Sequence, residues 1–493
     1  MIRYTTLLLF VALASGMGAL GLSVDGVLPG GLASKVENPS AVSGLAVAGS
    51  IDASDLVFIA GEMPALRTLD LTDAHIAAYD GDAIDGVRHF AANTLPQMSL
   101  AGSPATEIRL PASLEAIGDG ALAGAAITQI ELPASVRSVG AGAFAGCKSL
   151  RTASLGAAAL GAGALAGCEA LESVSSDAAS LPERCFAGCT ALTVVDMPSL
   201  TSIGDRAFER CTELRSFEFP AALTSIGSRA FAASGLEVAD LEGCTGLASV
   251  GAGAFAGCGS LRVLVFPEKA IDAGHALAMG SGALETALMP EGELPAYALA
   301  GDTKADATAA LRRASEAGEY ALKGVSEASE VTLPATLEYL GDGAMEGMTG
   351  LQHIDASALK SVPELGEDVW KGVRQSEVAL KAADDMADAF LAAGQWQDFK
   401  ISTSGTTSAK DEITGQIRAW FTGKTLIVEC RGTDAVKSVR IHDTAGHQLA
   451  ILTLTPDGRA AADTSRWTEN IFIVSALDAS DNNLTTIKIA RNG

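Results

Sequence analysis

A unit of just over twenty residues recurs along the middle of this chain and constrains the fold more than any other feature. The stretch 130–150 reads IELPASVRSVGAGAFAGCKSL, and near copies of it follow. Successive opening leucines are 21, 21, 22, 22, 25 and 23 residues apart, at Leu150, Leu171, Leu192, Leu214, Leu236, Leu261 and Leu284. A unit this short cannot bury its own apolar side, so neighbouring units must stack and share one continuous core.

The apolar residues of each unit follow the pattern L-x-x-I-x-L-P, then S-V-x-x-I-G, then x-x-A-F-x-G-C. Counted from the opening leucine, positions four and six have the same parity, so both side chains point inward from one short strand. The proline that follows lacks a backbone N–H and ends the strand's hydrogen-bond ladder. The glycine of the second segment predicts a tight corner with positive φ, at Gly140, Gly204, Gly227 and Gly251.

The Ala-Phe pair after each corner is expected on a short helical turn, with its ring in the interior. Stacked units would place each ring over the next and form an apolar spine from Phe144, Phe186, Phe208, Phe231 and Phe255. A second equivalent position is held by Cys147, Cys168, Cys189, Cys211 and Cys258. These cysteines predict a column of buried thiols, in which a disulfide between neighbours is possible but not required.

This unit resembles the consensus of the BspA-like leucine-rich repeat family, LxxIxLPxSVxxIGxxAFxGC, over residues 106–377. The resemblance implies an α/β-type, right-handed leucine-rich repeat solenoid, and the spacing predicts about ten or eleven turns. It also implies a secreted or surface-exposed bacterial protein, adhesin-like, that binds a protein or glycan ligand, including one derived from a host. A structural component of the cell envelope without a soluble ligand is the alternative.

The flanking segments predict export and a separate carboxy-terminal domain. Residues 1–23 combine one basic residue with an apolar run and small residues, which is typical of a secretory signal peptide. Residues 24–104 read as strand, helix, strand and resemble the family's amino-terminal cap, and 105–401 hold the repeats with their closing cap. Residues 402–412 are a linker by composition. No later stretch has transmembrane length, so we expect no membrane span in the mature chain.

Residues 413–493 alternate strand-like runs with turn residues and predict a small β-sandwich. Three pieces resemble the sorting domain of type IX secretion substrates: VRIHDTAGHQL, NIFIVSA and TTIKIARN. The departures from that pattern are His442, Asn470 and His447, which stand for the usual Tyr, Gly and Arg. The resemblance implies a role in surface delivery.

Charge and motifs exclude several function classes. The net charge of −25 argues against nucleic acid, because binding phosphates requires clusters of Lys and Arg. The glycine runs recur once per repeat and lack the crossover unit of a nucleotide site, so they are corner residues. No zinc-protease or serine-hydrolase motif occurs, and the six His are scattered. We therefore predict a non-enzymatic protein without catalytic residues, metal or cofactor.

Positions three and five of each unit alternate away from the core and should line an exposed sheet face. Early turns place polar pairs there, such as Glu107 with Arg109 and Thr152 with Ser154. Later turns place an apolar strip with acidic edges, which is the predicted partner-binding surface: Val194, Asp196, Glu218, Val238, Asp240, Val263, Val265 and Leu288. Such a strip is typical of a contact surface. The alternative is that these β-branched residues serve strand propensity alone.

Overall fold

The computed structural model describes residues 21–84, 86–403, 417–422, 424–430, 436–443, 448–455, 458–467, 471–477 and 483–490. Backbone contacts divide the chain into two compact units, Met1–Val378 and Ala379–Gly493. Within the described residues the repeats form a parallel-strand solenoid of about 16 turns. That exceeds the expected ten or eleven, and the poorly matching stretch before Thr106 supplies part of the difference, since Gly21–Val27, Gly44–Ile51 and Thr68–Asp70 already pair in parallel there.

The first turns use the same parallel pairing as the regular repeats. The predicted order of strand, helix and strand is present, and the helix starts with a capping box: the Asp52 carboxylate accepts from the Asp55 N–H, and the Asp55 carboxylate accepts from the Asp52 N–H. The predicted boundary at residue 23 falls inside the first strand, while residues 1–20 lie outside the described part. The elements are β1 Gly21–Val27, β2 Gly44–Ile51, α1 Ala53–Glu62, β3 Thr68–Asp70, β4 Ala74–Ile76, β5 Tyr79–Ile84, β6 Val87–Phe90 and β7 Thr94–Leu95.

Most regular turns carry two short strands. The opening strand starts two residues after the opening leucine, and the corner strand ends immediately before the corner glycine. Each pairs in parallel with its counterpart in the next turn. From residue 107 the elements are β8 Glu107–Arg109, β9 Ala116–Ile117, β10 Gln129–Glu131, β11 Ser138–Val139, β12 Thr152–Ser154, β13 Ala159–Leu160, β14 Ser173–Ser175, β15 Ser180–Leu181, β16 Val194–Asp196, β17 Ser202–Ile203, β18 Ser225–Ile226, β19 Val238–Asp240, β20 Ser249–Val250, β21 Val263–Val265, β22 Asp272–Ala273, β23 Thr286–Leu288, β24 Gly292–Leu294, α2 Ala307–Leu311, β25 Ala314–Ala317, β26 Glu330–Thr332, β27 Tyr339–Leu340, β28 His353–Ala356 and β29 Glu364–Leu365.

Four of the five rings predicted for the phenylalanine spine form a continuous stack in the solenoid interior, whereas Phe144 is separated from them by the turn that carries Leu165. Phe186 stacks on Phe208 with ring centroids 5.4 Å apart, and Phe208 stacks on Phe231 at 5.2 Å. Phe231 continues the stack onto Phe255 at 5.6 Å, with the rings nearly parallel. All four side chains are fully buried. The spine is therefore a shared core that no single turn could form.

The segment that carries each phenylalanine is a chain of turns and not the short helix that we expected. Phe144 lies between Gly142 and Gly146, which have φ values of 59° and 71°. Left-handed residues on both sides interrupt any run of helical φ angles. Alternate N–H groups instead reach the next turn, as in Phe144 N–H to the Ala164 carbonyl at 2.8 Å. The architecture is a parallel-strand solenoid with few helices.

The corner glycines are required for a different reason from the one that the sequence suggested. Gly140, Gly204, Gly227 and Gly251 do not have positive φ. A Cβ at Gly227 would lie 2.5 Å from the Asp205 backbone nitrogen and 2.6 Å from the Gly204 carbonyl carbon of the preceding turn. The prediction of positive φ at these four corners was wrong. Glycine is needed there because the backbones of successive turns touch.

The predicted column of buried thiols is present, and its cysteines are unbridged. Cys147, Cys168, Cys189, Cys211 and Cys258 are fully buried. Each thiol donates to a backbone carbonyl of the preceding turn, as in Cys168 to Phe144 at 3.1 Å and Cys211 to Phe186 at 3.2 Å. Burial raises the pKa of the Cys211 thiol to about 12, so it stays protonated as a donor.

The second unit opens with a parallel strand pair and a cluster of aromatic side chains. Ala379–Ala382 pairs with Lys400–Thr403. Trp396 is buried with its ring centroid 5.3 Å from Phe390 and 6.0 Å from Phe399. The elements are β30 Ala379–Ala382, α3 Ala387–Ala392 and β31 Lys400–Thr403. The predicted linker lies outside the described residues beyond its first two positions.

The described part of the carboxy-terminal region contains two antiparallel sheets. One has the strand order β32-β33-β36 and the other β35-β34-β37-β38. Side chains from both, including Leu426, Val439 and Phe472, belong to one buried cluster. The positions of Asn470 and His447 lie outside the described residues. The strands are β32 Ile417–Thr422, β33 Thr425–Cys430, β34 Ser438–His442, β35 Gln448–Thr453, β36 Arg459–Asp463, β37 Ile471–Leu477 and β38 Asn483–Ala490.

Candidate binding surface

Positions three and five of the opening strands lie on the outer side of the sheet, as parity predicts. In Val238–Asp240 the middle residue, Ala239, is buried and both flanking residues are exposed. Val263–Val265 follows the same alternation, with Leu264 buried and its two neighbours partly exposed. The register that was assigned from sequence is therefore correct for these strands.

Five of the eight predicted contact residues lie together on the three-stranded sheet β19-β21-β23. Val238 pairs with Val263, which pairs in turn with Thr286 of the next strand. The second row contains Asp240, Val265 and Leu288, again in direct register. Val238 is 47% exposed, and the other apolar residues are partly exposed. We call these five residues, Val238, Asp240, Val263, Val265 and Leu288, the valine patch.

Charged residues flank the valine patch, and the cations among them are already paired. Arg262 forms an ion pair with Glu285 at 3.3 Å, and this interaction raises the pKa of the arginine. Arg215 pairs with Glu237 at 3.2 Å. Within the described part of the chain, the Asp240 carboxylate accepts a local hydrogen bond from the Glu242 backbone N–H at 3.0 Å and forms no ion pair. The surface therefore presents apolar side chains beside a carboxylate with no cationic partner in the described residues.

Glu218, the sixth predicted residue, lies in a turn without an opening strand. Residues 214–220 have no assigned strand, and the sheet on one side ends at β16 while the next begins at β19. This turn places Phe217 and Phe219 at positions four and six, where the preceding turn has Val195 and Met197. The Phe217 ring packs edge-on against Phe231 with centroids 5.2 Å apart. Two such rings need more room than their counterparts, so the backbone leaves the ladder.

Val194 and Asp196, the remaining two predicted residues, belong to the other sheet, β10-β12-β14-β16. Val194 is 55% exposed and Asp196 is also exposed. The predicted single strip is therefore divided by the strandless turn. The structure places five of the eight residues on one sheet, two on the other sheet, and Glu218 in the strandless turn between them.

A groove of about 960 Å³ lies over this other sheet, and the sequence did not predict it. Its floor is formed by small hydroxyl side chains in register, with Thr152 beside Ser173 and Ser154 beside Ser175. Longer side chains, including Glu131, line the groove near one end, and Asp196 lines it at the other. The sequence feature that could have predicted this groove is the run of short polar residues at positions three and five in two successive turns.

No helix in the described part of the chain is both long enough and apolar enough to cross a membrane.

In a comparison with protein families, the chain matches the BspA type leucine rich repeat region, in 6 copies. The matched residues are 93–179, 179–304 and 293–382, which together cover more than half of the chain. A search of curated proteins found no match.

Several solved structures are similar. A leucine-rich repeat protein from Bacteroides ovatus is 17% identical, with a TM-score of 0.49, over 81% of this chain and 100% of that one. A leucine rich cell surface protein from Faecalibacterium prausnitzii is 19% identical, with a TM-score of 0.27, over 49% and 82%. The T. pallidum leucine rich repeat protein is 27% identical, with a TM-score of 0.21, over 34% and 77%.

Proposed function

Because the chain belongs to the BspA type leucine-rich repeat family, we propose that it is a non-enzymatic, secreted or cell-surface protein that binds a protein partner through the valine patch. The observation that carries the proposal is the direct register of Val238 with Val263 and of Val265 with Leu288 on an exposed sheet face. A contiguous apolar patch on a protein surface usually marks a contact site. Eight residues were predicted for this surface, and the proposal now centres on the five that share one sheet.

The charges around the patch favour a partner with basic residues beside an apolar contact. Asp240 has no cationic partner among the described residues, and Asp196 and Glu218 are exposed beyond the patch. The net charge of −25 would also attract a basic surface from a distance. Complementary charge of this kind contributes more to association rate and specificity than to affinity.

We expect the double substitution V238K/V263K to abolish partner binding and to leave thermal stability nearly unchanged. Lysine places a charge where the partner requires apolar contact, and Val238 has solvent room for a longer side chain. The measurement is a binding screen of the purified chain against surface proteins and glycans, followed by titration of the variant against each hit.

V194K is the matched control, because Val194 holds the same position in its turn as Val238, is at least as exposed, and lies on a different sheet. Full binding by the double variant would contradict the proposed surface. A screen without any protein or glycan hit would favour the alternative, a structural component of the cell envelope.

The carboxy-terminal region is proposed to form a β-sandwich that acts as a type IX sorting domain. Its three resembling pieces correspond to adjacent strands, since Ser438–His442 pairs with Ile471–Leu477, which pairs with Asn483–Ala490. Together with the signal peptide predicted at residues 1–23, this region would place the protein on the outer surface.

Deleting residues 413–493 is expected to leave the repeats folded and the protein retained in the periplasm. Surface labelling of whole cells measures whether the truncated chain is retained, and circular dichroism of the purified truncated chain measures whether its repeats are folded. Unchanged surface display of the truncated chain would refute the sorting role and leave an accessory β-domain.

A further inference from the structure

A column of small hydrogen-bond donors runs through the closing position of successive turns. Its members are Cys147, Cys168, Cys189, Cys211, Ser234, Cys258, Ser281 and Asp302, followed by Val325 and Met348. All of these side chains are buried. An aspartate therefore stands in a column that is otherwise built from thiols, hydroxyls and apolar groups.

The donors in this column contact the preceding turn in a repeated way. The Cys258 thiol donates to the Phe231 carbonyl at 3.1 Å, and the Ser281 hydroxyl donates to the Phe255 carbonyl at 3.0 Å. In each case the acceptor lies three residues before the column residue of the preceding turn. Applied to Asp302, the same rule selects the carbonyl of Ala278, three residues before Ser281.

Asp302 lacks the partners that a charged carboxylate would require. Its side chain is 0% exposed, and neither carboxyl oxygen has a hydrogen-bond partner among the residues that the structure describes. The nearest candidate donor, the Ser281 N–H, already bonds to the Ala278 carbonyl at 3.0 Å. An ionised carboxylate in this position would be buried without compensation, which costs far more than burying a neutral acid.

We propose that Asp302 is a neutral carboxylic acid that donates to the Ala278 carbonyl in place of a thiol or hydroxyl, and that loss of its proton loosens the junction between its turn and the preceding one. The device is a base-sensitive switch inside the solenoid, and it does not depend on the proposed binding function.

The groups around Asp302 favour the protonated form. Burial raises its pKa to about 8, against a smaller lowering effect of the nearby Ser281 amide. Cys258 lies in the column two turns earlier, and its pKa is raised mainly by burial and to a smaller extent by the Asp302 carboxyl. The column residue of the next turn is Val325, which is apolar and buried. Lys304 is exposed and forms no ion pair with Asp302 in the described chain.

The junction at Asp302 is also where both strand ladders are interrupted. The helix α2 replaces an opening strand between β23 and β26, and the corner sheets break between β22 and β24, with one isolated bridge from Ala270 to Glu291. The stack after the corner continues, as in the Ala278 N–H to the Ala298 carbonyl at 2.9 Å. At this junction the turns are therefore held together mainly by the hydrogen bonds of the segment after the corner. Asp302 lies in that segment, so its ionisation would act on the contacts that remain.

The pH dependence follows from the direction of the shift. The folded protein keeps the Asp302 proton between the unfolded pKa of 3.8 and about 8. Its contribution to stability is therefore complete below about pH 4, is lost as the pH rises toward about 8, and is constant above that. Within this window the folding equilibrium constant of the unit that contains Asp302 should fall by about tenfold per pH unit relative to a variant that cannot titrate.

Urea unfolding of the full chain at about pH 5 and about pH 7, for wild type and for D302S, tests the proposal. D302S reproduces the Ser281 donor, so the wild type should lose about a hundredfold more in its folding equilibrium constant between these two pH values. Equal losses in both proteins would overturn the proposal.

A second measurement does not require the serine variant to fold. The infrared carbonyl band of a protonated carboxylic acid should be present in wild type at about pH 6, where ordinary carboxyl groups are ionised, and should be absent from D302N. Identical spectra for wild type and D302N would overturn the proposal.

Discussion

Replacing Phe231 by alanine is expected to lower the free energy of unfolding by about 3–5 kcal/mol. Phe231 lies at the centre of the spine, with its ring stacked between Phe208 and Phe255 at centroid distances of 5.2 and 5.6 Å. Phe217 and Phe219 pack edge-on against the same ring. The truncation would remove contacts with three turns at once, and stacked turns cannot close the cavity without shifting each other.

The matched control is F231L, because leucine already holds this position of the spine at Leu165 and Leu299, both fully buried. We expect F231L to lose clearly less stability than F231A in urea unfolding monitored by circular dichroism. Equal losses for the two variants would contradict the assignment of the ring stack as the source of stability.

The interior of the solenoid could be predicted because it depends on spacing within one unit. Parity placed Ala239 and Leu264 inside and their neighbours outside, and the structure confirms that alternation. The spine and the thiol column followed from the same argument, since equivalent residues in stacked units must lie above one another. These features needed no knowledge of how far one turn is offset from the next.

The continuity of the sheet under the proposed binding surface depends on that offset, and the sequence did not predict its interruption. Phe217 and Phe219 fit the apolar pattern, so the pattern gave no reason to expect a missing strand between β16 and β19. The feature of Phe217 and Phe219 that could have indicated the missing strand is the size of their side chains, because their polarity is the same as that of the residues they replace. The same limit applies to Asp302, whose place in the column can be read from the repeat, whereas its unpartnered oxygens appear only when the turns are stacked.

The corner glycines separate these two levels most clearly. The sequence identified the correct residues and attached the wrong cause, because a glycine needed for positive φ and a glycine needed for close approach look alike in one unit. Positive φ falls instead on residues such as Gly253 and Arg229, of which the second is not a glycine. The left-handed conformation at these sites is set by the turns on either side of each phenylalanine.

Replacing Gly251 by alanine is therefore expected to destabilise the protein by about 1–3 kcal/mol through a clash between turns. A Cβ at Gly251 would overlap the Ser228 backbone nitrogen and lie 2.7 Å from the Gly227 carbonyl carbon. Both contacts are backbone atoms of the preceding turn, so no side-chain rotation relieves them. The measurement is the free energy of unfolding in urea.

Gly259, in the same turn, is the matched control, because a Cβ there meets nothing within 4 Å and its φ is not positive. Alanine at a site of this kind reduces the entropy of the unfolded chain, so G259A should be neutral or stabilise by about 0.4–1 kcal/mol. Opposite signs for the same chemical change in one turn would isolate contact between turns as the reason for the corner glycine. If G251A left the free energy of unfolding unchanged, adjacent turns could separate locally at little cost. Close contact between turns would then not be the reason for the corner glycine.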